Sequence, residues 1–168
     1  MAISLQQAWW FLPFVLPICF YVVYTDISEM RITNQAVIAL VVVFLVIGLI
    51  PLTWPEYGLR LAQMIGVLVL GIVLNAAGVM GAGDAKFAAA AAPFIAPADL
   101  RFIIVIFTAN LLAAFVTHRL AKHSPLRHIA PGWKSWDMGK KFPMGLALGG
   151  TLAAYLIMGA GLWTWVIR

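Results

Sequence analysis

The sequence predicts an all-α integral membrane protein with about six transmembrane helices. Hydrophobic residues make up 64% of its 168 residues and charged residues only 10%, whereas a soluble domain carries roughly a quarter charged residues. Mean hydropathy is +0.99. A chain of this length holds about six spans of ~20 residues with short loops. We therefore expect a single transmembrane domain over residues 1–168, with the N-terminus outside.

Six apolar stretches are the candidate helices, and turn-forming and charged residues separate them. They cover residues 8–24, 35–50, 59–79, 85–96, 102–117 and 144–166. No Lys or Arg precedes the first stretch, and Pro13 and Pro17 interrupt it, so we do not expect a cleaved signal peptide. The single cysteine, Cys19, lies inside it and leaves no disulfide framework or multi-cysteine metal site within this chain.

The fourth stretch is shorter than the ~17 residues that a span usually needs. It contains Pro93 and is rich in alanine. We predict a short helix inside the bundle, because small side chains let helices approach closely in lipid. Glycines in the sixth stretch predict similar close packing: Gly145, Gly149, Gly150 and Gly159.

The basic residues indicate the orientation. With the N-terminus outside, eight of the 11 Lys and Arg residues fall on the cytoplasmic side, as the positive-inside rule requires. These eight are Arg31, Lys86, Arg119, Lys122, Arg127, Lys134, Lys140 and Lys141; the other three are Arg60, Arg101 and Arg168. Topology and the lipid bilayer therefore explain the net charge of +5, and no nucleic-acid partner is expected.

The six acidic residues differ in their positions. Glu56 and Asp99 are expected in solvated outer loops, and Glu29 and Asp137 in inner loops. Asp26 and Asp84 lie where apolar helices meet the inner face. Simple structural roles are open for both: Asp84 as a helix N-cap, and Asp26 as an interfacial residue paired with Arg31. An ionisable residue at membrane depth is nevertheless a functional candidate.

Two carboxyls at matching depth suit peptide hydrolysis. Carboxyls held close together share a proton, so one can act as base and the other as acid. Gly81 and Gly83 would let an extended substrate backbone approach Asp84. The pair is expected to close only when substrate is bound. The alternative function is a small proton- or cation-coupled transporter that uses the same two aspartates. A catalytically silent assembly protein is a second rival.

Three motifs resemble the type IV prepilin peptidases. Residues 81–86 read Gly-Ala-Gly-Asp-Ala-Lys and match Gly-x-Gly-Asp-x-Lys; residues 26–34 resemble the family's Asp…Ile-Pro-Asn segment, with Thr33 in place of proline. Residues 141–145 resemble its Lys-x-Pro-x-Gly segment. The resemblance implies a membrane aspartic endopeptidase with Asp26 and Asp84 as the catalytic pair at the cytoplasmic face. Presenilin-type proteases also use Gly-x-Gly-Asp, but they pair it with Tyr-Asp, which Thr25 before Asp26 does not match.

The same resemblance implies a substrate and a location. The substrate is the basic leader of a prepilin or pseudopilin, and the location is a bacterial inner membrane, in pilus biogenesis. The chain resembles the short, peptidase-only branch associated with tight-adherence (Flp-type) pili, because it lacks the length and cysteines of a methyltransferase domain. No cofactor is expected, and the sequence leaves the oligomeric state open.

Neighbouring residues receive supporting roles. Lys86 either holds the negative charge of the pair or extends to the interface. Glu29 either meets the basic leader or is an exposed loop acid. Because Thr33 stands in place of proline, we expect the start of the second helix to be loosened. Three histidines, His118, His123 and His128, are spaced five apart, which does not place them on one helix face, so no metal site is expected. They are assigned to the basic loop that faces lipid headgroups.

Overall fold

The computed structural model describes residues 1–139 and 141–162, and within them the chain is all-helical. The α-helices are α1 (Leu5–Glu29), α2 (Asn34–Ile47), α3 (Trp54–Ala76), α4 (Ala82–Ala91), α5 (Leu100–Lys122) and α6 (Met144–Gly159). Short 3₁₀ turns connect α4 to α5 and α5 to α6. Parts of three predictions lie outside the described residues: the end of the sixth stretch at 166, and the charges of Lys140 and Arg168.

Local signals fix the start and end of α1. Ser4 and Gln7 form a capping box, in which the Ser4 hydroxyl accepts from the Gln7 N–H at 3.2 Å and the Gln7 side chain accepts from the Ser4 N–H at 3.3 Å. The helix continues through Pro13 and Pro17. It ends at Met30, whose φ of 56° is left-handed and incompatible with further helix. At 1.5 Å per residue, α1 is about 37 Å long, enough to cross a bilayer core.

Helices α1, α3 and the segment Pro97–Lys122 are each long and apolar enough to cross a membrane. Helices α3 and α5 bury very few of their side chains, although both are apolar. So much exposed apolar surface is unusual on a monomer in water, but it is expected on a surface that contacts lipid. The described chain is thus compatible with a membrane protein, as its composition predicts.

The core lies where α1, α2, α4 and α6 meet. Helix α1 packs against α2 and α6, and α4 packs against α2, α3 and α6. The alanine-rich α4 is buried on most sides, as expected for the fourth stretch. Close approaches use small residues: a Cβ added at Gly71 would stand 3.0 Å from the Cβ of Ala85, and one at Gly149 would stand 3.1 Å from the carbonyl oxygen of Cys19.

Helix α5 is longer than the sequence predicted. It runs to Lys122, so His118 and Arg119 are helical rather than part of the loop that follows. Pro97 and Leu100 mark its entry, because a 3₁₀ turn over Pro97–Asp99 leads directly into the α-helix. The result is that α5 and α6 are joined by a shorter connection, residues 123–143, which contains two 3₁₀ turns.

The predicted environment of two acids is wrong. Asp99 is 6% exposed and accepts hydrogen bonds from the N–H groups of Ala2 and Ile3 and from the Tyr155 hydroxyl. Glu56 lies in the first turn of α3 and forms an ion pair with the buried Arg60 at 2.8 Å. Both acids are held by partners that are distant in sequence or one helical turn away, which is why they are not simply solvated loop residues.

Candidate active site

Asp26 lies in the last turn of α1 and is 5% exposed. Its Oδ2 accepts a hydrogen bond of 2.5 Å from the backbone N–H of Gly145, in the first turn of α6. The predicted pairing of Asp26 with Arg31 is wrong, because the Arg31 guanidinium pairs with Glu29 at 3.5 Å. Within the described residues, Asp26 is therefore buried and accepts one backbone hydrogen bond.

Asp84 is the third residue of α4, and Gly81 is the N-cap. The simple structural role considered for Asp84, that of the helix N-cap, is therefore wrong. The Asp84 carboxylate reaches back to Gly81: a Cβ at position 81 would stand 2.7 Å from Oδ2. Burial raises the pKa of Asp84, and the hydrogen bond from the Gly81 backbone opposes that rise. Asp84 consequently holds its proton more readily than an exposed carboxyl does.

The two carboxyls lie at the same end of the bundle. The segment that links α1 to α2 runs beside the start of α4, where a Cβ at Gly83 would be 3.5 Å from the Cβ of Ile32. Asp26 and Asp84 are near enough to interact electrostatically. Within the described chain no hydrogen bond joins them, which agrees with a pair that closes on substrate; the closed state itself stays a prediction.

A cavity of about 630 Å³ opens beside Asp84. Its walls come from the end of α1, the α1–α2 connection, the start of α2 and the start of α4. The lining residues are Tyr21, Glu29, Met30, Arg31, Ile32, Thr33, Asn34, Gln35, Gly81, Gly83, Asp84 and Lys86. All four residues given supporting roles from sequence, Glu29, Gly81, Gly83 and Lys86, are among them. Asp26 is not among them.

A family model described as the type IV leader peptidase family matches residues 13–118. The chain belongs to this family. The matched range contains Asp26 and Asp84, whereas α6 and Gly145 lie beyond it. No curated protein and no solved structure matches the chain. Membership makes the chain a peptidase, and it implies a prepilin-type substrate.

Two other residues that line the cavity of this leader peptidase family member, Lys86 and Thr33, form hydrogen bonds nearby. The ammonium group of Lys86 donates to the Asn34 side chain at 3.3 Å rather than to either aspartate. Thr33 caps α2, and its hydroxyl accepts from the Ala36 N–H at 3.3 Å. The expected loosening of α2 is therefore wrong, because threonine provides the capping oxygen that proline lacks.

The histidines of this family member do not share one environment. His118 is buried in α5 and stacks on Trp136 with ring centroids 5.1 Å apart. His123 caps α5, and His128 lies in a 3₁₀ turn of the following connection. The assignment of all three to a lipid-facing loop is wrong for His118, because helix α5 extends past it and the connection folds back onto its ring.

Sequence reasoning missed the donor to Asp26. The sequence predicts only close helix packing for Gly145, within the family-like segment over residues 141–145. The available signal was a glycine two residues after a proline at the start of a helix, where backbone N–H groups lack intrahelical partners. Nothing in the sequence indicates the contact between Gly145 and Asp26, because the two residues are 119 positions apart. Tyr21 and Gln35, which line the cavity, were also missed.

Proposed function

We propose that this chain is a membrane aspartic endopeptidase that removes the basic leader of a prepilin or pseudopilin. The observation that carries the proposal is the family match, because its range contains both Asp26 and Asp84. Two observations support it: Asp84 lines a cavity, and Asp26 is near enough to Asp84 to interact with it electrostatically. We further propose that the chain is a peptidase-only member of a tight-adherence pilus system in a bacterial inner membrane.

The proposed chemistry needs one ionised and one protonated carboxyl. The ionised carboxyl takes a proton from water as the water oxygen attacks the scissile carbonyl carbon. The protonated carboxyl donates a hydrogen bond and then its proton to the carbonyl oxygen. The tetrahedral intermediate collapses as the first carboxyl passes its new proton to the amine nitrogen, the second takes a proton back from a hydroxyl of the intermediate, and the C–N bond breaks. The two aspartates then return to their starting charge states.

Glu29 is proposed to meet the basic leader. Its carboxylate lines the cavity and is half-exposed, and the Arg31 that pairs with it is 70% exposed, so the pair can be exchanged for a substrate cation. Exposed ion pairs contribute about 0.2–1 kcal/mol. Glu29→Gln should therefore raise KM for a leader peptide by no more than about fivefold, with kcat unchanged and the effect reduced by salt.

The decisive experiment is leader cleavage of a co-expressed prepilin, followed by gel shift. Asp26→Asn and Asp84→Asn should each lower cleavage on the order of 10²–10⁴-fold, since each removes a proton-transfer group. Asp137→Asn is the matched control, because Asp137 is an exposed acid paired with Arg127 at 2.6 Å. Its cleavage should equal that of the wild type.

Cleavage that persists in both active-site variants, at equal membrane levels, would refute the aspartyl mechanism. Ion-coupled transport by the same two acids would then become the leading alternative, to be measured in proteoliposomes. The proposed absence of methylation has its own test, which is the mass of the new N-terminus of the cleaved pilin. An added methyl group would contradict the peptidase-only assignment.

The proposed orientation places the cavity at the cytoplasmic face of the membrane. Cys19 is buried and is the single cysteine, so Cys19→Ser gives a clean background for labelling. Ala98→Cys and His123→Cys would put exposed thiols at opposite ends of α5. A membrane-impermeant maleimide should label the first in intact spheroplasts and the second only after permeabilisation. The reverse pattern would place the N-terminus inside.

A further inference from the structure

The side chain of Asp26 has one hydrogen-bond donor within the described chain, and that donor belongs to α6. The N–H of Gly145 donates to Oδ2 at 2.5 Å. Pro143 is the N-cap of α6 and Met144 its first residue, so this N–H belongs to the first turn, where no intrahelical acceptor exists. The arrangement satisfies an otherwise unpaired donor and places it against a buried carboxylate.

The contact requires a glycine for reasons of space. A Cβ at position 145 would stand 2.8 Å from the Cβ of Asp26, 2.9 Å from Oδ2 and 3.0 Å from Cγ. Side-chain Cβ atoms essentially never come closer than 3.0 Å to another heavy atom. Asp26 is 5% exposed and cannot simply move aside. The backbone of Gly145 is not in the left-handed region, so conformation is not the cause.

Both acids accept a backbone hydrogen bond at the start of a helix, but the two donors lie in different places. Hydrogen bonds to the charged form of a carboxyl favour that form. Asp84 accepts from Gly81, the N-cap of its own helix. Asp26 accepts from the first turn of α6, 119 residues away in sequence, so its position depends on how α6 packs against α1.

We propose that Gly145 is a positioning residue whose N–H holds the Asp26 carboxyl in the orientation that proton transfer requires. This inference rests on the proposed peptidase function. In the reaction, an O–H bond of water breaks and its proton goes to the ionised carboxyl of the pair, while the water oxygen bonds to the carbonyl carbon. The protonated carboxyl gives its proton to the carbonyl oxygen. The first carboxyl then passes its proton to the departing amine nitrogen, and the second takes a proton back from a hydroxyl of the intermediate.

The test compares Gly145→Ala with Gly149→Ala in the full-length protein, using a synthetic prepilin leader peptide. Gly149 lies one turn further along α6 and faces the same helix, since its Cβ would be 3.1 Å from the Cys19 carbonyl oxygen and 3.2 Å from Cγ2 of Val23. It therefore matches the packing change without touching Asp26. Asp26→Asn is measured alongside.

Gly145→Ala should lower kcat about 10²-fold, because a misplacement of about 1 Å costs that much. KM should change little. The limb of the kcat pH profile that Asp26 controls should move to higher pH, because Asp26 loses a donor that favours its charged form. Gly149→Ala should keep the wild-type pH profile. Equal loss in both glycine variants, or an unmoved pH profile in Gly145→Ala, would overturn the inference.

Two further outcomes are distinguishable. If Asp26→Asn cleaves as well as wild type, the proposed function itself fails, whatever Gly145→Ala does. If Gly145→Ala does not accumulate in membranes, it is combined with Asp26→Gly, which removes every atom named in the clash. Restored accumulation of the double variant would support the contact, and continued absence would overturn it.

Discussion

Asp26 and Asp99 are buried to the same degree at opposite ends of the bundle, yet their hydrogen bonding is very different. Asp99 accepts from two backbone N–H groups, at 2.7–3.1 Å, and from the Tyr155 hydroxyl at 2.7 Å. Asp26 accepts from Gly145 alone within the described chain. Asp99, with three donors, is committed to structure, whereas Asp26, with one, has more acceptor capacity left for water. Donor number, more than burial, separates the two roles.

The largest effect should come from replacing the aspartate carboxylate by an amide at each end of the bundle. Asp26→Asn should abolish leader cleavage, whereas Asp99→Asn should keep kcat per folded molecule near the wild-type value. The reason is that Asp99 bonds residues 2 and 3, just before α1, whereas Asp26 lies in the last turn of that helix, about 30 Å further along at 1.5 Å per residue. The measurement is kcat normalised to folded protein. A comparable loss of kcat in Asp99→Asn would show that the comparison between the two ends is mistaken.

The next effect concerns the two glycines before Asp84. Gly81→Ala should lower kcat about 10–100-fold, because its Cβ would stand 2.7 Å from Oδ2 of Asp84 and displace the carboxylate. Gly83→Ala is the control for displacement of the carboxylate, because its Cβ would meet Ile32 at 3.5 Å, an ordinary contact; since Gly83 lines the cavity, its effect should fall on KM. Its kcat should stay within about twofold, as for substitutions that break no special feature. Steady-state kinetics separate the two, and equal kcat values would rule out contact-based positioning of Asp84.

A smaller effect should appear in stability at the Asp99 end. Tyr155→Phe leaves the Ala96 N–H without its acceptor, which lies at 3.0 Å, and removes a donor from Asp99. The free energy of unfolding should fall by about 1–3 kcal/mol, with cleavage unchanged. Tyr57→Phe is the control, because among the described residues the exposed Tyr57 hydroxyl bonds only the Leu45 carbonyl oxygen. Denaturant unfolding in detergent measures both, and equal losses would remove the special role of this hydrogen-bond cluster.

The smallest effect should be a gain in stability at the catalytic end. Since burial raises the folded-state pKa of Asp84, its ionisation at neutral pH opposes folding. Asp84→Asn should therefore have a higher Tm than wild type at pH 7. The gain should shrink as pH falls and vanish below 3.8, the ordinary pKa of the carboxyl, where Asp84 is protonated in both states. A gain that does not depend on pH would have another cause.

Much of the fold was predictable because it depends on composition and local signals. Apolar stretches predicted the helices, and the short fourth stretch was correctly expected to be a buried alanine-rich helix. The end of α5 was not predictable from hydropathy, because His118, Arg119 and Lys122 are polar residues that continue the helix. Charge on the last turn of a helix is stabilised by the helix dipole, so polarity there does not signal a loop.

The site was predictable to a different extent. Motifs identified Asp26 and Asp84 as candidates, and the structure brings both to one end of the bundle. The surroundings of the acids were not predictable, because their donors come from far along the chain: residues 2 and 155 reach Asp99, and residue 145 reaches Asp26. Only tertiary packing sets such pairings, which is also why Asp99 was wrongly expected in solvent.

The position of Gly145 late in the chain bears on how the protein is made. Translation delivers α1 and α4, with both aspartates, before α6 has left the ribosome. A nascent chain at that stage holds two acids without the amide that orders one of them. On the proposed role of Gly145, competence for hydrolysis is acquired only when α6 joins the bundle, so that an unfinished chain leaves neighbouring proteins uncut.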